Sequence, residues 1–139
     1  MQEYLFSDIK VGLKHSFKAE IDEARMQKFL EISGDNNPIH IDSDYAKSRG
    51  MVDKVVYGML TSSFYSTLVG VYIPGKYALL HSIDIQFSKP VFIEDKLVIV
   101  GEVSGINEMF RQIEVKAHIL NQNGEKISRA KIKIGLVNE

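Results

Sequence analysis

The chain has 139 residues, of which 45% are apolar and 25% charged, and its net charge is −1. That length suits one domain, residues 1–139, with a core of its own, and a near-neutral balance supplies no field to draw it to nucleic acid or an anionic bilayer. It contains no cysteine, which excludes disulfides, thiolate chemistry and zinc–cysteine clusters.

The opening "MQEYLFSDIKVG" carries acidic residues early and no apolar run of signal-peptide length. No stretch approaches the ~20 apolar residues of a membrane span, so a cytoplasmic protein is expected. "HSFKAEI", His15 to Ile21, reads as a possible first strand. "IDEARMQKFLEISG" then opens on Asp22 as a helix cap, carries Met26, Phe29 and Leu30 at helical spacing, and stops at Gly34. "DNNP" is turn chemistry, because Asp and Asn bond to nearby backbone and Pro38 pushes Asn37 towards an extended conformation. "SDYAKSRG" predicts a short helix capped by Ser43 and ended at Gly50. In "GMLTSSFYSTLVGVYIPG", Gly58 to Gly75, no charged side chain stands between Met59 and Ile73. A helix apolar or small all round is expected to be buried all round, and Pro74 and Gly75 end it.

Four strands follow. "ALLHSIDIQF" places Ile83, Ile85 and Phe87 on one face. "KLVIVGEVSGI" runs from Lys96, "FRQIEVKAHIL" alternates through Ile113, Val115, Ala117 and Ile119, and "ISRAKIKIGLV" follows a hairpin signal at Asn123-Gly124. About five antiparallel strands and one apolar helix make an α+β chain. A strongly curved sheet wrapped around that helix, the hotdog fold, buries it best. Open sheet edges invite a second copy, so a homodimer is expected.

The chemistry concentrates in "SGDNNPIHIDSDYA". Asp35 and His40 stand five residues apart around Pro38. On a regular helix they would point about 140° apart; on a folded loop they can converge on one water, one accepting its proton while the other gives a proton to substrate. The plain alternative is that Asp35 is only a turn former. Addition of water to a double bond becomes feasible in an α,β-unsaturated thioester, where charge collects on the carbonyl oxygen. The N-terminus of the apolar helix offers that oxygen free N–H groups, and Gly58 lets it approach closely. Tyr65 and Ser66, later on the helix, are candidates to line the pocket. "HIDSD" clusters His40, Asp42 and Asp44 but fails the calcium-loop spacing and offers no second histidine one turn away. No metal or other cofactor is expected. Phosphate-loop and GxSxG patterns are absent.

At these residues the chain resembles a known family. "FLEISGDNNPIH", Phe29 to His40, is similar to the signature of the MaoC-like (R)-specific enoyl-CoA hydratases, roughly S/T-G-D-x-N-P-hydrophobic-H. "YGMLTSSFYSTLVG" resembles the family's H-G-M-L helix, and "PGKYALLHSIDIQFSKPVFIEDKL" its next strand and P-V-F/Y-x-G-D turn. The resemblance implies a hotdog dimer that reversibly hydrates trans-2-enoyl thioesters, carried on CoA or an acyl carrier protein, to (R)-3-hydroxyacyl thioesters. Asp35 and His40 would be the catalytic pair, Asn37 would brace the loop, Gly58 would donate to the thioester oxygen, and Ser66 matches a serine kept near the site. Tyr57 departs from the family's usual His before the Gly and is read as reshaping the substrate pocket. Ile83 stands where many members have Gln, and Glu94 where Gly is common. Two other readings stay open: a hotdog thioesterase, disfavoured because residues 59–73 carry no carboxylate, and a non-catalytic thioester-binding subunit.

Overall fold

A computed structural model describes residues 1–137. In chain order it contains β1 (Lys14–Ala19), α1 (Glu23–Ser33), the single turn α2 (Pro38–Ile41), α3 (Ser43–Ser48), α4 (Gly58–Thr67), β2 (Ala78–Phe87), β3 (Leu97–Asn107), β4 (Gln112–Leu120) and β5 (Lys126–Leu136). The strands form one antiparallel sheet in the order β1-β3-β4-β5-β2. β1 and β2 are its edges, and all the helical elements but the first turn, Phe6–Asp8, lie between them in the chain.

Local chemistry sets the boundaries. The Asp22 carboxylate accepts the N–H of Arg25 at 2.9 Å and starts α1. Gly34, at φ +73°, closes α1 in the left-handed region that glycine enters without a side-chain clash. α3 is capped by Asp42 rather than by Ser43, since the Asp42 carboxylate accepts from the N–H of Tyr45 while the Ser43 hydroxyl donates to Asp53. A carboxylate one residue earlier reaches the third free N–H of the turn, and that takes the cap from the serine. The β3–β4 hairpin holds Arg111 at φ +48°, so β4 begins at Gln112 rather than Phe110. The Asn123-Gly124 turn forms as expected; the Asn121 side chain accepts the N–H groups of Asn123 and Glu125.

The α4 helix lies in a trench in the sheet. Gly101, Ala117 and Ala130 stand directly opposite one another across β3, β4 and β5. Larger residues flank this row: Ile99, Ile119 and Ser128 on one side, Val103, Val115 and Ile132 on the other. Leu68, fully buried where α4 passes into a wider π turn (Leu68–Tyr72), drops into the trench. A Cβ on Gly101 would fall 2.6 Å from its methyl carbon. One turn earlier, Tyr65 reaches the sheet and shares a 2.7 Å hydrogen bond with the hydroxyl of Ser128. Phe64 meets Phe17 of β1 edge-on.

The helix is not buried all round. Met59, Ser63 and Ser66 form an exposed stripe, Met59 at 61%, and the inner face of the neighbouring β2 edge exposes Ile83 and Phe87. A sheet covers one side of a helix only, and α1 reaches the other side through Arg25, whose guanidinium lies over Phe64, without covering this stripe.

Gly101→Ala is expected to destabilise the fold by about 1–3 kcal/mol, the usual cost of overpacking a filled core, as read from urea denaturation midpoints. The Tyr65 phenol is pushed up to about 12, chiefly by burial. The native state therefore keeps its proton where an unfolded chain, at about 10, releases it. Its contribution to stability is complete below pH 10 and is lost as pH rises towards 12. Tyr65→Phe should flatten the fall in stability over that window in alkaline denaturation.

Candidate active site

The loop after α1 is a succession of side-chain-to-backbone turns. The Ser33 hydroxyl donates to the carbonyl of Phe29 and accepts the N–H of Asp35 at 3.1 Å. Asp35 Oδ1 accepts the N–H of Asn37 at 3.1 Å, and Asn37 Oδ1 accepts the N–H of Ile39 at 3.0 Å, capping α2. Pro38 stands in the first turn of α2, where its missing N–H costs nothing. Asp35 is thus a turn former through one oxygen. Its other oxygen is left to face a different partner.

That partner is His40. Asp35 Oδ2 lies 3.9 Å from His40 Nε2, too far for a direct hydrogen bond and close enough for one water to touch both. The imidazole is fixed from behind: its Nδ1 lies 2.7 Å from the carbonyl oxygen of Val55, so Nδ1 carries the proton and donates. Nε2 is then the ring nitrogen left facing the carboxylate. His40 is mostly covered, with 16% of its side chain exposed, whereas Asp35 exposes 47%.

α4 begins beside this pair. The ring of Tyr57, its N-cap, stacks on the His40 imidazole with centroids 4.1 Å apart, and its hydroxyl donates to the backbone carbonyl of Asp35 at 2.7 Å. Phe29 packs against Tyr57 at 4.8 Å. Burial, and secondarily the Asp35 carboxylate, raise the Tyr57 phenol above its ordinary value, which keeps the hydroxyl a donor. The carbonyl of Gly58 accepts from the hydroxyls of both Thr61 and Ser62; the N–H groups of Leu60 and Thr61 donate to the carbonyl of Tyr57, whereas those of Gly58 and Met59 come before any intrahelical acceptor. A Cβ on Gly58 would approach a ring carbon of Phe87 to 3.1 Å, so the glycine keeps open a passage that a side chain would narrow. His40, Val55, Gly58, Thr61, Phe87 and Val91 help line a largely apolar cavity of about 330 Å³.

Asp35, Asn37, His40, Tyr57 and Gly58 therefore come together at one place. Ser66 does not join them within a single chain; it lies on the exposed stripe of α4, two turns beyond Gly58. Tyr65 is turned to the sheet and lines no part of the cavity. The carboxylate of Asp42 is engaged in capping α3, and among the described residues no three His, Asp or Glu side chains gather as a metal site would need. Two participants escaped the sequence. The carbonyl of Val55 has no side-chain signature, and Phe87 was legible as sharing a strand face with Ile83 and Ile85 but not as the cavity wall facing Gly58. Glu94, in the turn after Val91, holds φ +73°. The glycine common there in the resembled family is a conformational requirement that this chain meets with a glutamate, the turn being tied by Asp95, whose carboxylate accepts the N–H of Phe92.

A family model described as "MaoC like domain" matches residues 6–124. An (R)-specific enoyl-CoA hydratase from Rhodospirillum rubrum is 32% identical over 103 residues, covering 74% of this chain and 72% of that one. A mitochondrial 3-hydroxyacyl-[acyl-carrier-protein] dehydratase from Arabidopsis thaliana is 30% identical over 91 residues, 66% of this chain and 54% of that protein, so the chain spans about half its length. Among solved structures, an (R)-hydratase from A. caviae superposes with a TM-score of 0.88 at 27% identity, covering 92% of this chain and 97% of that one.

Proposed function

The chain belongs to the MaoC-like family, and from that premise we propose that it is a lyase adding water to trans-2-enoyl thioesters to give (R)-3-hydroxyacyl thioesters, or removing it in reverse. The observation that carries this reading is the 3.9 Å pairing of Asp35 Oδ2 with His40 Nε2, each group tied through its other polar atom. That arrangement suits one water held between a base and an acid, beside a cavity that runs past the N-terminus of α4.

In the proposed hydration, Asp35 Oδ2 takes a proton from the water as its oxygen bonds to C3 of the enoyl group. The electron pair of the double bond moves towards the thioester carbonyl, and the charge on that oxygen is met by the N–H of Gly58 and the positive end of α4. His40, protonated on Nε2, delivers its proton to C2. Transfer of the captured proton from Asp35 to His40 restores the pair, so one water is consumed and nothing else changes. Nδ1 keeps its proton throughout because the Val55 carbonyl holds it; only Nε2 gains and loses one. Asn37 braces the loop as the cap of α2, and Tyr57, read from the sequence as a pocket residue, stands behind the His40 ring rather than in the cavity wall. The acyl carrier is CoA or a carrier protein, the groups that the relatives' names give for those proteins.

A second copy of the chain is proposed to cover the exposed face of α4 and β2. Met59, Leu80, Ile83 and Phe87 lie between 37% and 61% exposed there, and β2 is an open sheet edge. Ser66 lies on that face, which would carry it towards the partner's half of the assembly.

With crotonyl-CoA, loss of enone absorbance without release of thiol is expected. Free thiol would indicate a thioesterase, and binding without either change a non-catalytic subunit. Asp35→Asn and His40→Gln should each lower kcat by at least about 10²-fold, the low end of what a positioned acid or base supplies, with unchanged circular dichroism; wild-type rates in either would refute the assignment. Sedimentation should give twice the chain mass, and Met59→Glu should shift it to the monomer.

A further inference from the structure

We infer that Tyr57 is a positioning residue that sets the geometry of both members of the Asp35/His40 pair at once. The inference rests on the hydratase reading and deepens it. Tyr57 is 2% exposed and does not sit against the pair by chance of packing: it makes a separate contact to each member, of a different kind. Its hydroxyl donates to the Asp35 carbonyl at 2.7 Å, which fixes the peptide from which the carboxylate projects. Its ring lies along the imidazole of His40, centroids 4.1 Å apart and planes 30° apart, which opposes rotation of that ring about its Cβ–Cγ bond. Phe29 presses on Tyr57 with ring centroids 4.8 Å apart, so α1, α2 and the start of α4 each contribute one ring to a single stack.

The consequence is specific. Without the hydroxyl, Asp35 keeps its bond to the N–H of Asn37 but its peptide loses its tether to α4. Without the ring, His40 keeps only the Val55 carbonyl to define its plane, and a single hydrogen bond leaves torsion about its own axis free. The 3.9 Å gap needs both. Tyr57 is not among the side chains that line the cavity, so it acts through the pair rather than on substrate.

Tyr57→Phe deletes the tether and keeps the stack; Tyr57→Leu deletes both. With crotonyl-CoA, Tyr57→Phe is expected to lower kcat by about 10-fold, the equivalent of one hydrogen bond, and Tyr57→Leu by about 100-fold, with KM within about twofold of wild type in each. Long-range nitrogen–proton NMR at alkaline pH reports the His40 tautomer directly. Wild type and Tyr57→Phe should show the Nδ1–H form alone, and Tyr57→Leu a mixture of both tautomers. Wild-type kcat in both folded variants, or a fall expressed mainly in KM, would overturn the inference. Should Tyr57→Leu fail to fold, Tyr57→Phe decides the kinetic part. If the unmodified protein turns over no enoyl thioester, the hydratase reading fails by itself, and the tautomer spectra still decide whether Tyr57 orients His40.

Discussion

The candidate site depends on the hydrogen bond from His40 Nδ1 to the carbonyl of Val55. It is 2.7 Å long, and it joins a one-turn helix to the extended segment that leads into α4. The same segment is held on both sides, since the N–H of Val55 donates to the carbonyl of Ile39 and the N–H of Val56 to that of Val91. Three consecutive backbone groups thus lock the loop, the helix entry and the turn after β2 to one another. Take away the carbonyl of Val55 and the imidazole has no preferred tautomer; take away the segment's other two bonds and that carbonyl has no fixed position. The orientation of the imidazole is a property of backbone register as much as of side-chain choice.

Around that bond the polar and apolar parts of the structure divide the work. Short Asp, Asn and Ser side chains settle the loop through hydrogen bonds to nearby N–H groups, each within two residues along the chain. Aromatic and aliphatic side chains then press the loop onto the rest of the protein. The carboxylate of Asp35 shows how one group serves both ends, because a carboxylate has two oxygens and a turn needs only one. One oxygen ties the turn and the other faces His40, so a structural role for the residue does not preclude the proposed chemical one.

Much of this was legible before any coordinates. Periodicity gave the five strands, since residues such as Ile113, Val115, Ala117 and Ile119 alternate without interruption, and the Asn-Gly pair marked its hairpin. The loop motif gave Asp35, Asn37 and His40 because their chemistry is local in sequence. What was not legible depends on contacts made at a distance. The cap of α3 passed from Ser43 to Asp42 on a difference of one residue in reach. The exposed stripe of Met59, Ser63 and Ser66 was hidden because the absence of charge tells what a helix avoids, not which of its sides one sheet covers. Tyr65 sat on the right helix but points to Ser128 in the core, a direction set by the helix's rotation in the trench. Tyr57 was visible only as a departure from a familiar pattern; its two partners, 17 and 22 positions away in the chain, could be found only by folding it.

The trench itself has a reach beyond the core. Gly101, Ala117 and Ala130 decide how deep α4 sinks, and the depth of α4 decides how far Gly58 stands from Phe87. The clearance between Gly58 and Phe87 is therefore gauged on the sheet floor, by residues absent from the walls of the chamber. Swapping a methyl for a hydrogen in that floor would act like turning a screw on a caliper, opening or closing the jaws from the opposite end of the instrument.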